Sequence, residues 1–172
     1  MTTVSLSLDE IYKLANKTLL ANGCDQETAD ILSELITNAE RDGSLSHGLF
    51  RLPSYVSGLK SGKINGKQKP NIKKLTPSVI KADGKNCLAP VVLNKSIPEL
   101  VKAAKENGVA VLAIINSHHM AAMWPETEKI AEEGLVAFAC TSYKPAVAPA
   151  GATRPLFGTN PISFAWPRKN NT

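Results

Sequence analysis

All three histidines of the chain sit in turn-rich segments beside expected helix starts: His47 within Ser46-His47-Gly48, and His118-His119 directly after an apolar run. Histidine is the side chain best suited to exchanging protons near neutral pH. Ser46 precedes His47 and can either orient its imidazole or cap a helix. Arg51 lies four residues beyond His47, a spacing that on a helix puts both on one face. A guanidinium placed there could hold a carboxylate bidentately while His47 addresses the adjoining carbon. Each residue also has a plainer role open to it: Ser46 as a cap, His47 as a hydrogen-bonded structural histidine, Arg51 as a salt-bridge partner. Thr159, in Phe157-Gly158-Thr159-Asn160-Pro161, either contacts a ligand or closes a turn.

Other chemistries lack their signatures. No GxGxxG follows a strand, so an ordinary dinucleotide fingerprint is missing. The stretch Gly58-Leu-Lys-Ser-Gly62-Lys63-Ile64 is one residue too short for a phosphate loop and lacks the Ser/Thr after lysine. There is no GxSxG, no HExxH and no paired-cysteine zinc site. Adjacent histidines such as His118-His119 rarely chelate one ion together, and no carboxylate stands nearby at ligand spacing. No metal is expected.

The elements that must position these residues change character along the chain. The first sixty residues read as helical. Ser7 and Glu10 have capping-box spacing, with Leu8, Ile11, Tyr12, Ala15 and Leu19 following on one face. Gly23 stops that helix, and Asp25 caps a second carrying Ala29, Leu32, Leu35, Ile36 and Ala39. A third, short helix is expected over 49–59, its first turn tolerating Pro53. Gly58, Gly62 and Gly66 with interleaved lysines read as a loop. From about Ile72 the pattern turns to α/β. Strands end at Asp83-Gly84, and Ser96 is expected to cap a helix through Lys105, with Pro98 in its first turn and Asn107-Gly108 ending it. Val109–Ile115 and Leu135–Thr141 read as strands covered on both faces, with a helix near Pro125–Glu133 between them. The organisation expected is a helical segment over 1–70 and an α/β segment over 71–172.

Length, composition and charge narrow the class. A chain of 172 residues with 43% hydrophobic and 20% charged residues and a mean hydropathy of −0.10 reads as globular rather than disordered. Lysine and arginine exceed the acidic residues by 20 to 15, a net charge of +5, but the bases are scattered and aromatics are only 5%. That argues against nucleic acid as a partner. The lysines of 60–74 could meet phosphate, although a solvated connector is the simpler reading. No apolar run reaches the roughly 18 residues of a membrane span, and the N-terminus lacks a secretory signal. Cys24, Cys87 and Cys140 are odd in number and far apart, as expected of reduced thiols in the cytoplasm.

Four segments occur together in order: Ser46-His-Gly-Leu-Phe-Arg-Leu-Pro-Ser-Tyr-Val56, Asn116-Ser-His-His119, Val147-Ala-Pro-Ala-Gly151 and Leu156-Phe-Gly-Thr-Asn-Pro161. In this the chain resembles the malate/L-lactate dehydrogenase family of NAD(P)-dependent oxidoreductases, over essentially its whole length. The stretches His118-His-Met-Ala-Ala-Met-Trp124 and Phe164-Ala-Trp-Pro-Arg168 are most similar to the Δ1-piperideine-2-carboxylate/Δ1-pyrroline-2-carboxylate reductases within it.

The resemblance implies a non-Rossmann cofactor fold, in keeping with the missing glycine fingerprint, and a homodimer. Carried over residue by residue, it makes His47 the proton donor, Ser46 its relay partner, and Arg51 and Thr159 substrate contacts. His119, Met120, Ala121, Ala122 and Met123 become a cofactor-binding loop. It covers only the N-terminal half of such proteins, so the α/β NAD(P)-binding domain over 71–172 is expected to be incomplete. A relay aspartate and further cofactor contacts would lie beyond Thr172, on a complementary C-terminal polypeptide. The activity implied is reduction of a small cyclic 2-imino acid by NADPH, with NADH possible, yielding pipecolate or proline. The alternatives are a malate/lactate-type 2-hydroxyacid dehydrogenase, and a non-catalytic half-chain that supports a partner. Trp124, an apolar ring, suits a cyclic substrate better than a dicarboxylate.

Overall fold

The first helix, α1 (Leu8–Ala21), starts at the capping box: Ser7 Oγ accepts the Glu10 N–H at 3.3 Å, and the Glu10 carboxylate accepts the Ser7 N–H at 2.8 Å. The second, α2 (Gln26–Arg41), starts at Asp25, whose carboxylate accepts the Thr28 N–H at 2.9 Å. Both caps satisfy donors that a helix N-terminus leaves without intrahelical partners. The structure is a computed structural model in which residues 4–118 and 121–169 are described.

Contacts divide the chain into two compact units, Met1–Ala122 and Met123–Thr172. The change from helices to strands near residue 70 therefore falls inside the first unit. There α1 and α2 face each other through Ile11, Ala15, Leu19, Ala29, Leu32 and Ile36, all buried. Against them pack Leu52 and Tyr55 of α3 (Leu52–Lys60), Ile64 from the following loop, and Leu88 and Val91 at the start of α4 (Ala89–Asn107). Burying a side chain such as Leu32 or Ile36 is worth about 2 kcal/mol relative to leaving it in water.

The third helical segment differs from the sequence expectation. In place of one helix over 49–59 there are two 3₁₀ turns, Leu45–His47 and Leu49–Arg51, followed by α3. Gly48 separates the turns with φ −87° and ψ −135°. The helical-face argument for pairing His47 with Arg51 therefore does not apply. Gly58 belongs to the last turns of α3 rather than to the loop.

A three-stranded sheet follows in the order β1 (Asn71–Thr76), β2 (Val79–Asp83), β3 (Val111–Ile115). The first pair is antiparallel, and β2 runs parallel to β3, with α4 as the connection. In register, Ile80 faces Leu112 and Ala82 faces Ile114, and this face packs with Val92 of α4 and Ile72. The opposite face carries the paired Lys73 and Lys81 together with Val111 and Ile115, and is exposed. So β3 is covered on one face only, not on two. The helix α4 begins seven residues before the expected cap. Ser96 is fully buried in mid-helix, and Pro98 lies inside the helix. Pro90 is the proline of the first turn, where its missing N–H costs nothing. The helix ends where expected, at Asn107-Gly108, with Gly108 left-handed (φ +79°).

In the second unit, α5 (Trp124–Glu132) is followed by an antiparallel pair, β4 (Ala137–Cys140) and β5 (Ile162–Ala165). Thr127 Oγ1 and Ser163 Oγ share a hydrogen bond of 2.7 Å, which fixes α5 on the face that carries Ala137 and Ala165. The other face is apolar and open: Phe138 is 64% exposed and its cross-strand partner Phe164 61%. Here too the expected double coverage of β4 is not found. Among the described residues no helix is long and apolar enough to cross a membrane.

Asp25 also receives the Lys69 ammonium at 2.8 Å, and Lys69 and Lys95 both reach Glu27. Partial burial would raise the Asp25 pKa, but Lys69 and the Thr28 N–H outweigh it and hold it at about 2. A depressed carboxylate contributes stability above its unfolded pKa, and that contribution is lost as pH falls through the folded value. Asn at position 25 keeps the cap but not the charge. In urea titrations, the stability advantage of wild type over Asp25→Asn should shrink between about pH 4 and pH 2. A difference that stays constant over this range would contradict the assignment.

Candidate functional site

The site around His47 begins where α2 ends. Gly43 turns the chain with φ +73°, and the Ser44 N–H returns to the Ala39 carbonyl at 2.8 Å. The first 3₁₀ turn closes when the His47 N–H donates to the Ser44 carbonyl at 2.8 Å. Ser46 Oγ lies 2.9 Å from His47 Nδ1, and Ser44 Oγ lies 3.4 Å from the same nitrogen. Ser46 therefore orients the imidazole from within the turn; the residue at the N-cap position is Ser44, and no side-chain cap bond forms there. With Nδ1 engaged by hydroxyls, proton exchange with another group falls to Nε2.

The second turn is held from α2. The Glu40 carboxylate accepts the Leu49 N–H at 2.7 Å. It also occupies the space beside Gly48, where a Cβ would come within 2.1 Å of Glu40 Oε1. Arg51 closes this turn, its N–H donating to the Gly48 carbonyl at 2.9 Å. Its side chain is half-buried, and Nε is fully buried with no hydrogen-bond partner among the described residues. Buried donors are nearly always paired, and one left without an acceptor costs free energy. Tyr55, one helical turn on, is only 1% exposed. Burial pushes its phenol above the usual range, and the nearby Arg51 charge opposes that shift.

A second locus lies at the carboxyl ends of the parallel strands β2 and β3, the usual ligand edge of an open α/β sheet. Two loops cross there. The Gly84 N–H donates to the Ile115 carbonyl at 2.9 Å, and the Asn86 N–H to the Asn116 carbonyl at 2.8 Å. The Asp83 carboxylate accepts the Lys85 N–H at 3.0 Å and the Asn116 side-chain amide at 3.1 Å. These bonds hold Lys85, Asn86 and Asn116 at positive φ, between 47° and 67°. The His118 main chain is tied in as well, its N–H to the Cys87 carbonyl and its C=O to the Ala89 N–H. Of the expected cofactor loop, His119 and Met120 lie outside the described residues, and Ala121, Ala122 and Met123 are buried.

Thr159 belongs to the second unit and is exposed. Its turn is closed by neighbours: Asn160 Oδ1 accepts the Tyr143 N–H at 3.0 Å, and Val147 pairs with Phe157. The structure thus brings Ser46 and His47 into contact and sets Arg51 on the adjoining turn. The hydrogen bonds that Glu40, Ser44, Asp83 and Asn116 make around these turns and loops are not found by the sequence reading. Only glycine beside His47 hinted at a close approach there.

Residues 6–172 match the malate/L-lactate dehydrogenase family, and the chain belongs to it. It is 43% identical over 164 residues to the Delta(1)-pyrroline-2-carboxylate reductase of Ancylobacter novellus, covering 95% of this chain and 48% of that protein. It is 38% identical to the (2R)-3-sulfolactate dehydrogenase (NADP(+)) of Chromohalobacter salexigens, covering 95% of this chain and 49% of that protein. The crystal structure of delta1-piperideine-2-carboxylate reductase from Pseudomonas syringae pv. tomato superposes with a TM-score of 0.91 at 41% identity. That superposition covers 98% of this chain and 51% of the other. The chain spans about half the length of the curated relatives it matches.

The crossing of the two strand-end loops leaves no room at Gly84. A Cβ there would lie 2.9 Å from the Asn116 carbonyl oxygen and from Ser117 Cβ, and backbone cannot step aside as a flexible side chain can. Gly84→Ala should destabilise the first unit by about 1–3 kcal/mol, the usual cost of overpacking, read as a lower urea midpoint at unchanged m-value.

Proposed function

We propose that this chain forms part of an NAD(P)H-dependent reductase of small cyclic 2-imino acids, Δ1-piperideine-2-carboxylate and Δ1-pyrroline-2-carboxylate. The observation that carries the reading is the 2.9 Å contact between Ser46 Oγ and His47 Nδ1, on the turn adjoining a buried Arg51 Nε that has no acceptor. A substrate carboxylate gives Arg51 its acceptor and fixes the ring so that C2 is presented to the cofactor. His47, oriented by Ser46, delivers a proton through Nε2 to the imine nitrogen as hydride reaches C2, and the cyclic amine, pipecolate or proline, is formed. In the alternative 2-hydroxyacid chemistry the same proton would go to a carbonyl oxygen.

The nicotinamide, when bound, supplies the hydride. The carboxyl ends of β2 and β3 fit such a group by their place in the sheet. Residues 119–123 would hold it, without a dinucleotide glycine fingerprint. Ala121, Ala122 and Met123 are buried, so they would contribute main chain and close approach rather than charge. NADPH is the cofactor proposed, supported by the NADP(+)-linked relative. Thr159 is proposed as a further substrate contact. The open apolar face of Phe138, Ile162, Phe164 and Trp166 and the half-covered β3 support a working protein that includes a complementary C-terminal polypeptide, as a homodimer. The odd, widely spaced Cys24, Cys87 and Cys140 support the cytoplasm as its setting.

The test is NADPH oxidation by the protein carrying both halves, over a panel of cyclic 2-imino acids and 2-oxo acids. Turnover with the imino acids supports the reading; turnover only with 2-oxo acids establishes the hydroxyacid alternative, and none at all a non-catalytic role. His47→Ala should lower kcat by about 10²-fold with NADPH affinity little changed. Arg51→Lys keeps the charge but loses the planar fork, and should raise KM by about tenfold, with a smaller effect on kcat. Unchanged kinetics in either variant would remove that residue from the mechanism.

A further inference from the structure

Two 3₁₀ turns with a non-helical residue between them are a poor platform for catalytic side chains, because each turn closes on few hydrogen bonds of its own. The joint between these two turns is held from outside by Glu40, the penultimate residue of α2. Its carboxylate takes the Leu49 N–H, the first amide of the second turn, at 2.7 Å. An amide at a helix start has no intrahelical acceptor, so this bond meets a need that nothing else in the turn supplies. The same carboxylate fills the volume that a side chain at position 48 would take. Gly48 has φ −87° and ψ −135°. One carboxylate oxygen thereby ties the last turn of α2 to the joint between the turn bearing Ser46 and His47 and the turn bearing Arg51.

We infer that Glu40 is a positioning residue: it sets the separation of the His47 acid from the Arg51 carboxylate clamp by fixing the Gly48–Leu49 joint. The inference rests on the functional reading above. Glu40 itself touches neither substrate nor cofactor in this scheme; it acts through Leu49 N–H and Gly48. Misplacing reacting groups by about 1 Å can cost on the order of 10²-fold in rate, so loosening the joint should register as lost turnover even where the fold persists.

The experiment uses the protein carrying both halves, the preferred 2-imino acid and NADPH. Glu40→Ala should lower kcat/KM by about 30-fold, with kcat and KM both affected and NADPH affinity unchanged. Glu40→Gln retains an oxygen for the Leu49 N–H and should stay within about threefold of wild type. Gly48→Ala alone should push the flexible Glu40 side chain off the Leu49 N–H and lower kcat/KM about as much as Glu40→Ala does. Added to Glu40→Ala it should cost little more, since the space is then open, and this non-additivity is the signature of a shared joint. Amide hydrogen exchange at Leu49 gives a readout for any variant too weak to assay: protection should fall in Glu40→Ala and persist in Glu40→Gln. Asp25→Ala, a destabilised variant at the far end of α2, controls for stability and should leave kcat/KM unchanged. If His47→Ala abolishes turnover while Glu40→Ala matches wild type, the positioning role fails and the functional reading stands. If His47→Ala turns over normally, the functional reading fails and takes this inference with it. Additive losses in the Glu40/Gly48 pair would likewise overturn the proposal.

Discussion

Everything in the first unit depends on keeping one apolar seam out of water. Leu19, Leu32, Ile36 and Tyr55 are essentially inaccessible, and they come from α1, α2 and α3. Leu88 and Val91, at the start of α4, complete the same cluster and so connect the helical segment to the strand-bearing one. The seam fixes α2 as far as Ile36, and the His47 segment hangs from the Ala39 carbonyl and the Glu40 carboxylate just beyond it. A single hydrophobic constraint therefore fixes the frame against which a weakly self-supporting pair of 3₁₀ turns can be placed.

Polar groups do the finer placing. Hydroxyls at Ser44 and Ser46 engage His47 Nδ1, a carboxylate from α2 takes the Leu49 amide, and Asp83 takes an amide from each of two crossing loops. Bonds to an ionised oxygen are the stronger kind, and the one from Asn116 to Asp83 joins segments 33 residues apart, which local turn chemistry could not hold alone. The three non-glycine residues at positive φ around Asp83 show the consequence. Conformations that would be unfavourable in isolation persist because surrounding bonds over-determine them.

The two sheets are finished differently on their two faces. Inward, Ile80, Ala82 and Leu112 meet α4, and Ala137 and Ser163 lie under α5. Outward, Val111, Ile115, Phe138, Ile162, Phe164 and Trp166 are in the open. Exposed apolar patches of this kind mark surfaces that associate.

Period, caps and composition determined much by themselves, because they act over a few residues. The capping box at Ser7, the Asp25 cap, the buried stripes of α1 and α2, and the Gly108 stop all follow from local rules. So does the notice that Ser46, His47 and Arg51 are residues with chemistry. Local rules misplaced the start of α4, since Pro90 and Pro98 both look like first-turn prolines and only packing of Val91, Val92 and Ser96 decides between them. They could not tell a strand covered twice from one covered once, because an apolar run such as Val109–Ile115 reads the same in either case. The contact of Glu40 with Leu49 was beyond them altogether. It joins a helix end to a turn nine positions along the chain, and only the tertiary structure, by anchoring α2 in the apolar seam, brings that carboxylate to the amide.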